Sequence, residues 1–206
     1  MSLRAAFTAL LLLLCATPAA ALDLPGFGDS LAEPVGTPLA LPEGVEVEIV
    51  SYNPFDPDAC KEPDAEERPD PHGPEGLVRL CLKFTNSGGP IRVSWPPGLT
   101  FISESKNTQN GLLVEGLEME VEVVVMVSLM ADCMNGSRSA PGGGVRYKLG
   151  PVTRHPPILE ALRLLADKDL SDPLDAATAS MVLKPLYLGR PLSNEGRATI
   201  EDLPSR

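Results

Sequence analysis

The residues best suited to chemistry in this chain are three cysteines, two histidines and a run of carboxylates. Cys60, Cys81 and Cys133 follow an N-terminal apolar segment that holds Cys15, and His72 and His155 are the only histidines. A Ser or Cys nucleophile needs a base, most often His, itself oriented by a third group. His72 follows Pro71 in an acidic stretch and His155 precedes Pro156-Pro157, so neither sits in a reactive motif. No nucleophile elbow, zinc-protease helix motif or phosphate-cradling loop occurs. Gly142-Gly143-Gly144 lacks the following helix that such a loop requires.

Carboxylates crowd the segment from Asp56 to Glu75, where Asp56, Asp58, Asp64 and Asp70 are hard oxygen donors suited to calcium. Their spacing lacks the glycine and terminal glutamate of an EF-hand loop. A hydrolase using two acids needs fixed separations and perturbed pKa values, which a Pro-rich, self-repelling loop does not promise. Met119, Met126, Met130 and Met134 with Cys133 are soft donors for Cu(I). On one strand Met119 and Met126 fall on opposite faces, so core packing explains them better. No catalytic residue and no cofactor is expected.

In an oxidising compartment three cysteines allow one disulfide and one remaining thiol. If the strands meander, the first strand and the strand over 118–130 end at the same pole. Cys60 and Cys133 lie just beyond those ends, so Cys60–Cys133 is the expected bond, with Cys60–Cys81 next. The favoured bond closes roughly 70 residues and stabilises by roughly 2–5 kcal/mol. Asn135-Gly136-Ser137 fits the N-glycosylation pattern in an expected surface loop. Trp95, the single tryptophan, is expected to anchor the core.

The elements that must position these residues follow from periodicity. Val45, Val47 and Ile49 alternate with Glu46 and Glu48, the pattern of a half-buried strand. Residues 53–76 form a Pro-rich acidic loop. Val78, Leu80, Leu82 and Phe84 line one face of a second strand, and Ile91, Val93 and Trp95 one face of a third. Leu99 to Ile102, Leu112 to Glu115, Glu118 to Met130 and Val145 to Leu149 supply four more. Beyond Gly150 the period lengthens. Ile158, Leu162 and Leu165 mark one helix, and Leu174, Ala177 and Met181 a second, ending before Pro185. Ser193 caps a third through Ile200. The order predicts a mainly β protein, an immunoglobulin-like antiparallel β-sandwich over 44–150, followed by a helical extension over 151–206.

Ahead of the strands, Arg4, the apolar run Ala5–Leu14 and Ala19-Ala20-Ala21 have the layout of an export signal over 1–21, cleaved near Ala21. Leu14 before Cys15 does not suit lipidation. Residues 22–43, with four prolines, read as a flexible leader. No later apolar run approaches the ~20 residues that span a bilayer. Loss of Arg4 leaves 16 Lys and Arg against 28 Asp and Glu, which disfavours nucleic acid as a partner. A secreted or periplasmic location follows.

The segment Val93-Ser94-Trp95-Pro96-Pro97-Gly98-Leu99-Thr100-Phe101-Ile102-Ser103, the long Glu/Val strand, Cys133-Met134-Asn135 and the trailing helices resemble uncharacterised secreted bacterial proteins with an immunoglobulin-like sandwich. The resemblance spans about Val45 to Leu203 and implies fold and export, with no site residue. The expected function is a noncatalytic structural or interaction role, with an unknown protein or cell-surface partner, in the envelope or outside the cell. The competing expectation is a calcium- or other metal-dependent binder or hydrolase centred on residues 56–75.

Overall fold

A computed structural model describes residues 24–62 and 64–206; the expected signal over 1–21, its cleavage point near Ala21 and Cys15 lie outside the described residues. The strands are β1 (Gly36–Thr37), β2 (Val45–Ser51), β3 (Val78–Asn86), β4 (Ile91–Trp95), β5 (Leu99–Ser103), β6 (Gly111–Leu112), β7 (Leu117–Val121), β8 (Val124–Cys133) and β9 (Arg146–Thr153). The helices α1 (Pro156–Leu165), α2 (Pro173–Tyr187) and α3 (Asn194–Glu201) follow. The protein is thus mainly β with its helices toward the C-terminus, as the periodicity predicts.

The strand pairing departs from the expected immunoglobulin-like sandwich. All pairs are antiparallel and run β9–β2–β3–β8–β6–β5, and β5 pairs again with β9, closing a six-strand barrel with β1 attached to β9. A register shift between Leu99 and Phe101 bends β5 toward its second partner. A glycine makes the approach possible: a Cβ on Gly150 would lie 2.2 Å from Thr100 Oγ1. The strand expected over 118–130 is also broken, at Glu122-Val123. There the Asn86 amide donates to the carbonyls of Gly89, Val121 and Glu122 at 2.8, 2.9 and 3.2 Å, while its Oδ1 accepts from Gly88 N. This corner frees β7 to pair with β4 as a separate ribbon.

Alternation fills the barrel. Val78, Leu80, Leu82 and Phe84 on β3 point inward without exposure, joined by Ile49, Phe101, Leu129 and Tyr147. The β4–β7 ribbon adds Val93, Trp95, Leu117 and Val121 to the same core. Trp95 packs on Phe84 and Phe101, with ring centroids 5.1 and 6.0 Å away, as its expected anchoring role requires.

A second core lies between the barrel and the helices, built from Leu112, Val114, Met134, Ile158, Leu162, Leu183, Leu186 and Ile200. Asp172 caps α2 by accepting from Leu174 N at 2.7 Å, and Ser193 caps α3. Two expectations fail here. The α2 helix runs through Pro185 to Tyr187, because the bond Pro185 cannot donate falls in its last turn. It also buries Ala176, Ala179, Leu183 and Leu186, which leaves the expected apolar face, Leu174, Ala177 and Met181, in solvent.

Over its described part the leader, expected as a flexible segment, packs against both layers of the fold. Phe27 packs against Tyr187 with centroids 5.6 Å apart, and Gly28 N donates to Met134 O at 2.9 Å. Further on, β1 adds to the edge of β9 at Val152 and Thr153. The leader therefore straps the helical layer to the barrel.

Candidate functional site

The disulfide joins Cys60 to Cys81, with Cα atoms 5.2 Å apart, in place of the expected Cys60–Cys133. The reason is facing. Cys81 pairs in register with Ser128 on the outer face of the barrel, whereas Cys133 belongs to the inward set on β8 and packs in the core. Cys60 reaches the outer face because the acidic loop folds across it. The Arg68 guanidinium sits 4.8 Å above the Tyr52 ring and donates to Pro54 O and Ala59 O. His72 then bonds the main chain of β8 at Ser128 and Met130.

That loop forms no metal centre: among the described residues, no three His, Cys, Asp or Glu side chains converge on a metal-sized site. Asp56 accepts from Asp58 N, and Asp58 pairs with Lys61 at 3.5 Å. The soft donors are likewise dispersed, Met119 against the barrel core, Met134 in the helical core, and Met126 and Met130 on the outer side of β8. Asn135 is fully buried and donates to Gly26 O and Gly28 O at 3.0 and 3.1 Å, so its amide is a packing element and is closed to glycosylation in the folded chain. His72 Nε2 lies 3.0 Å from Gly116 O. His155 stands at the start of α1, with a buried, unpartnered Nδ1, and burial lowers its pKa.

The polar residues that do converge lie where β8 meets α2. Ser180, Lys184 and Tyr187 recur on one face of α2 at helical spacing. All three reach Asp132: Ser180 Oγ at 2.5 Å and Lys184 Nζ at 2.9 Å on Oδ1, and Tyr187 OH at 2.6 Å on Oδ2. Lys184 also donates to Cys133 O at 3.0 Å. Burial, then the Asp132 charge, raises the Tyr187 pKa well above the ordinary phenol value. Ser180, Lys184 and Tyr187 thus occupy both carboxylate oxygens of Asp132, and the cluster ties α2 to the end of β8.

Beside it opens a cleft of 430 Å³ lined by Arg79, Gln109, Cys133, Met181 and Lys184 among others. Cys133 is the free thiol among the described residues, and burial pushes its pKa up to about 11, with Lys184 lowering and Asp132 raising it. A thiol so protonated at neutral pH is a poor nucleophile. Leu77 and Met181 border the cleft at 64% and 65% exposure. A neighbouring cleft of 560 Å³ shares Glu75 and Pro173 with it.

Sequence reasoning named Cys133 and Met181 but missed Asp132, Gln109, Ser180, Lys184 and Tyr187. The recurrence of polar residues at 180, 184 and 187 was the available signal. Comparison with family models, with curated proteins and with solved structures finds no match to this chain.

Proposed function

We propose that the protein is an exported, noncatalytic β scaffold that acts by contact with a protein or cell-surface partner in the envelope or extracellular space. One observation carries this reading: α2 turns Leu174, Ala177 and Met181, an apolar stripe at helical spacing, toward solvent beside the cleft. Leu77 extends the stripe onto the barrel side. Contiguous exposed apolar surface rimmed by polar residues is a feature of protein contact sites. Export draws support from the layout of residues 1–21 and from the Cys60–Cys81 bond, which suits an oxidising compartment. Within the described residues no helix is long and apolar enough to cross a membrane. A barrel has better support as the scaffold than an immunoglobulin-like sandwich, because β5 pairs along both edges. The metal-dependent alternative at residues 56–75 lacks a converging ligand set.

Cross-linking in the native exported fraction tests the proposal. Leu77→Asp with Met181→Glu abolishes a cross-linked complex while the thermal midpoint holds. An unchanged complex, or substrate turnover that disappears in Ser180→Ala, overturns it.

A further inference from the structure

The leader lies in a groove whose binding groups are set by the rest of the chain. Asn135 Nδ2 donates to Gly26 O and Gly28 O at 3.0 and 3.1 Å, and Asn110 Nδ2 to Gly26 O at 3.4 Å. Both amides are held in that orientation, because Asn135 Oδ1 accepts from Asn110 N and Asn110 Oδ1 from Ser103 N, each at 3.0 Å. Met134 O, which accepts from Gly28 N, is placed by the bond from Met134 N to Asn110 O. The Tyr187 ring against Phe27 is placed by its hydroxyl on Asp132. None of these placing bonds involves the leader, so the groove is organised without it.

What the groove reads is main chain and one aromatic ring. The two amides and Arg138 bond the carbonyls of Gly26, Gly28 and Ser30, and Phe27 is buried between them. Gly26 and Gly28 take φ of +81° and +55°, which a larger side chain resists. Beyond Ser30 the hold thins. Asp29, Leu31, Ala32, Glu33 and Val35 are exposed, and β1 pairs with β9 over two residues. Residues 38–44, with Pro38 and Pro42, then lead to β2. Proline-rich chain favours extended forms of about 3 Å a residue, so this hinge spans roughly 20 Å. The leader precedes every strand of the closed six-strand ring, and its release breaks none of that ring's pairs.

We propose that the leader exchanges between two copies of this chain, each laying residues 24–37 in the groove of the other. Every groove contact is the same within one copy and between two, so the exchanged pair needs no new surface. Local opening of the leader, with the barrel intact, is the step that permits it. The hinge gives the leader an effective concentration on its own groove in the millimolar range, so exchange takes over as the protein concentration approaches that value. The exchange does not use the Leu174, Ala177 and Met181 stripe, and the contact role above does not depend on it.

A contact of the leader with the barrel reports which copy it occupies. Lys148 Nζ lies 2.6 Å from Glu33 Oε1, with both side chains at least half exposed, and a carbodiimide joins such a pair as an amide. Light and isotopically heavy full chains are mixed in equal amounts near about 1 mM, warmed to just below the thermal midpoint and cooled. After dilution the monomer and dimer are separated by size and cross-linked. In the dimer about half of the Glu33–Lys148 peptides join a light to a heavy chain, the share that random exchange gives, and in the monomer none do. Phe27→Ala, which removes the leader's anchor, speeds the mixing on the order of 100-fold. Pro38→Ala with Pro42→Ala lowers the dimer share while the monomer's thermal midpoint holds. A dimer whose cross-links are all light–light or heavy–heavy keeps its leaders at home and overturns the proposal, as does a chain that stays monomeric throughout. A labelled peptide of residues 24–37 that enters the groove while whole copies never mix also overturns it, because the groove then opens to a free segment and not to a second copy.

Discussion

Asp132 accepts three hydrogen bonds from one helix face, and its side chain is almost closed to water while that of Lys184 stays nearly half exposed. A buried carboxylate is tolerated only when such donors replace its water, so its removal is felt through the groups it leaves behind. Asp132→Asn keeps the shape but turns an amide N–H toward donors and leaves Lys184 without its counter-charge. Breaking a fully buried pair costs about 3–5 kcal/mol; the exposure of Lys184 brings the expected loss to about 2–3 kcal/mol. Urea midpoints measure it, and Tyr187→Phe alone is expected to cost about 1 kcal/mol, with the double variant less than additive. A loss within experimental error for Asp132→Asn would mean that the cluster does not hold α2. In the sequence only the recurrence of polar residues at 180, 184 and 187 points toward this cluster, and nothing points to Asp132. An aspartate before a cysteine at a strand end carries no local mark of its partners, which lie 48 to 55 residues away.

Strands were read where two-residue alternation met burial, as in β2, β3 and β4, because side-chain direction along a strand is a local property. The breaks were not legible. Val123 continues the alternation of its neighbours, so nothing local separates β7 from β8, and the separation depends on Asn86 across the sheet. The second helix was misread for a related reason: Leu174, Ala177 and Met181 form a fair apolar face, yet Ala176, Ala179 and Leu183 form the one the fold buries. Small alanines hardly register as hydrophobic until a barrel wall requires close approach. The Asn86 corner offers the sharper test at this scale. Asn86→Ala leaves the carbonyls of Val121 and Glu122 without their amide donor, and at about 1 kcal/mol per net hydrogen bond the expected loss is about 2 kcal/mol. Chemical denaturation measures the loss. Stability equal to the native chain would show that the turn between β7 and β8 is fixed by its own backbone.

The whole molecule has two apolar cores, where the sequence predicts a sandwich over 44–150 and a helical extension over 151–206. The structure joins them directly, through Leu112, Val114 and Met134 of the strand segment in the helical core, and again through the leader. Phe27 of the leader lies in the helical core at 3% exposure, Asn135 binds the leader at Gly26 and Gly28, and β1 attaches to β9 of the closed barrel. Proline content predicts a flexible leader, and the distant contacts that the leader makes leave no local pattern in the sequence. Such coupling has a thermodynamic signature. Trp95, the chain's single tryptophan, sits in the barrel core and reports that core alone, while far-UV circular dichroism follows the helices. If the strap makes one cooperative unit, the two signals fall together on heating or in denaturant. Phe27→Ala then shifts both by the same amount, about 3 kcal/mol for a buried phenylalanine removed from a packed site. Helical signal lost ahead of Trp95 fluorescence in the native chain would instead make the C-terminal layer an independent unit. The apolar stripe on α2 would then be presented by a detachable element rather than by a rigid face of the barrel.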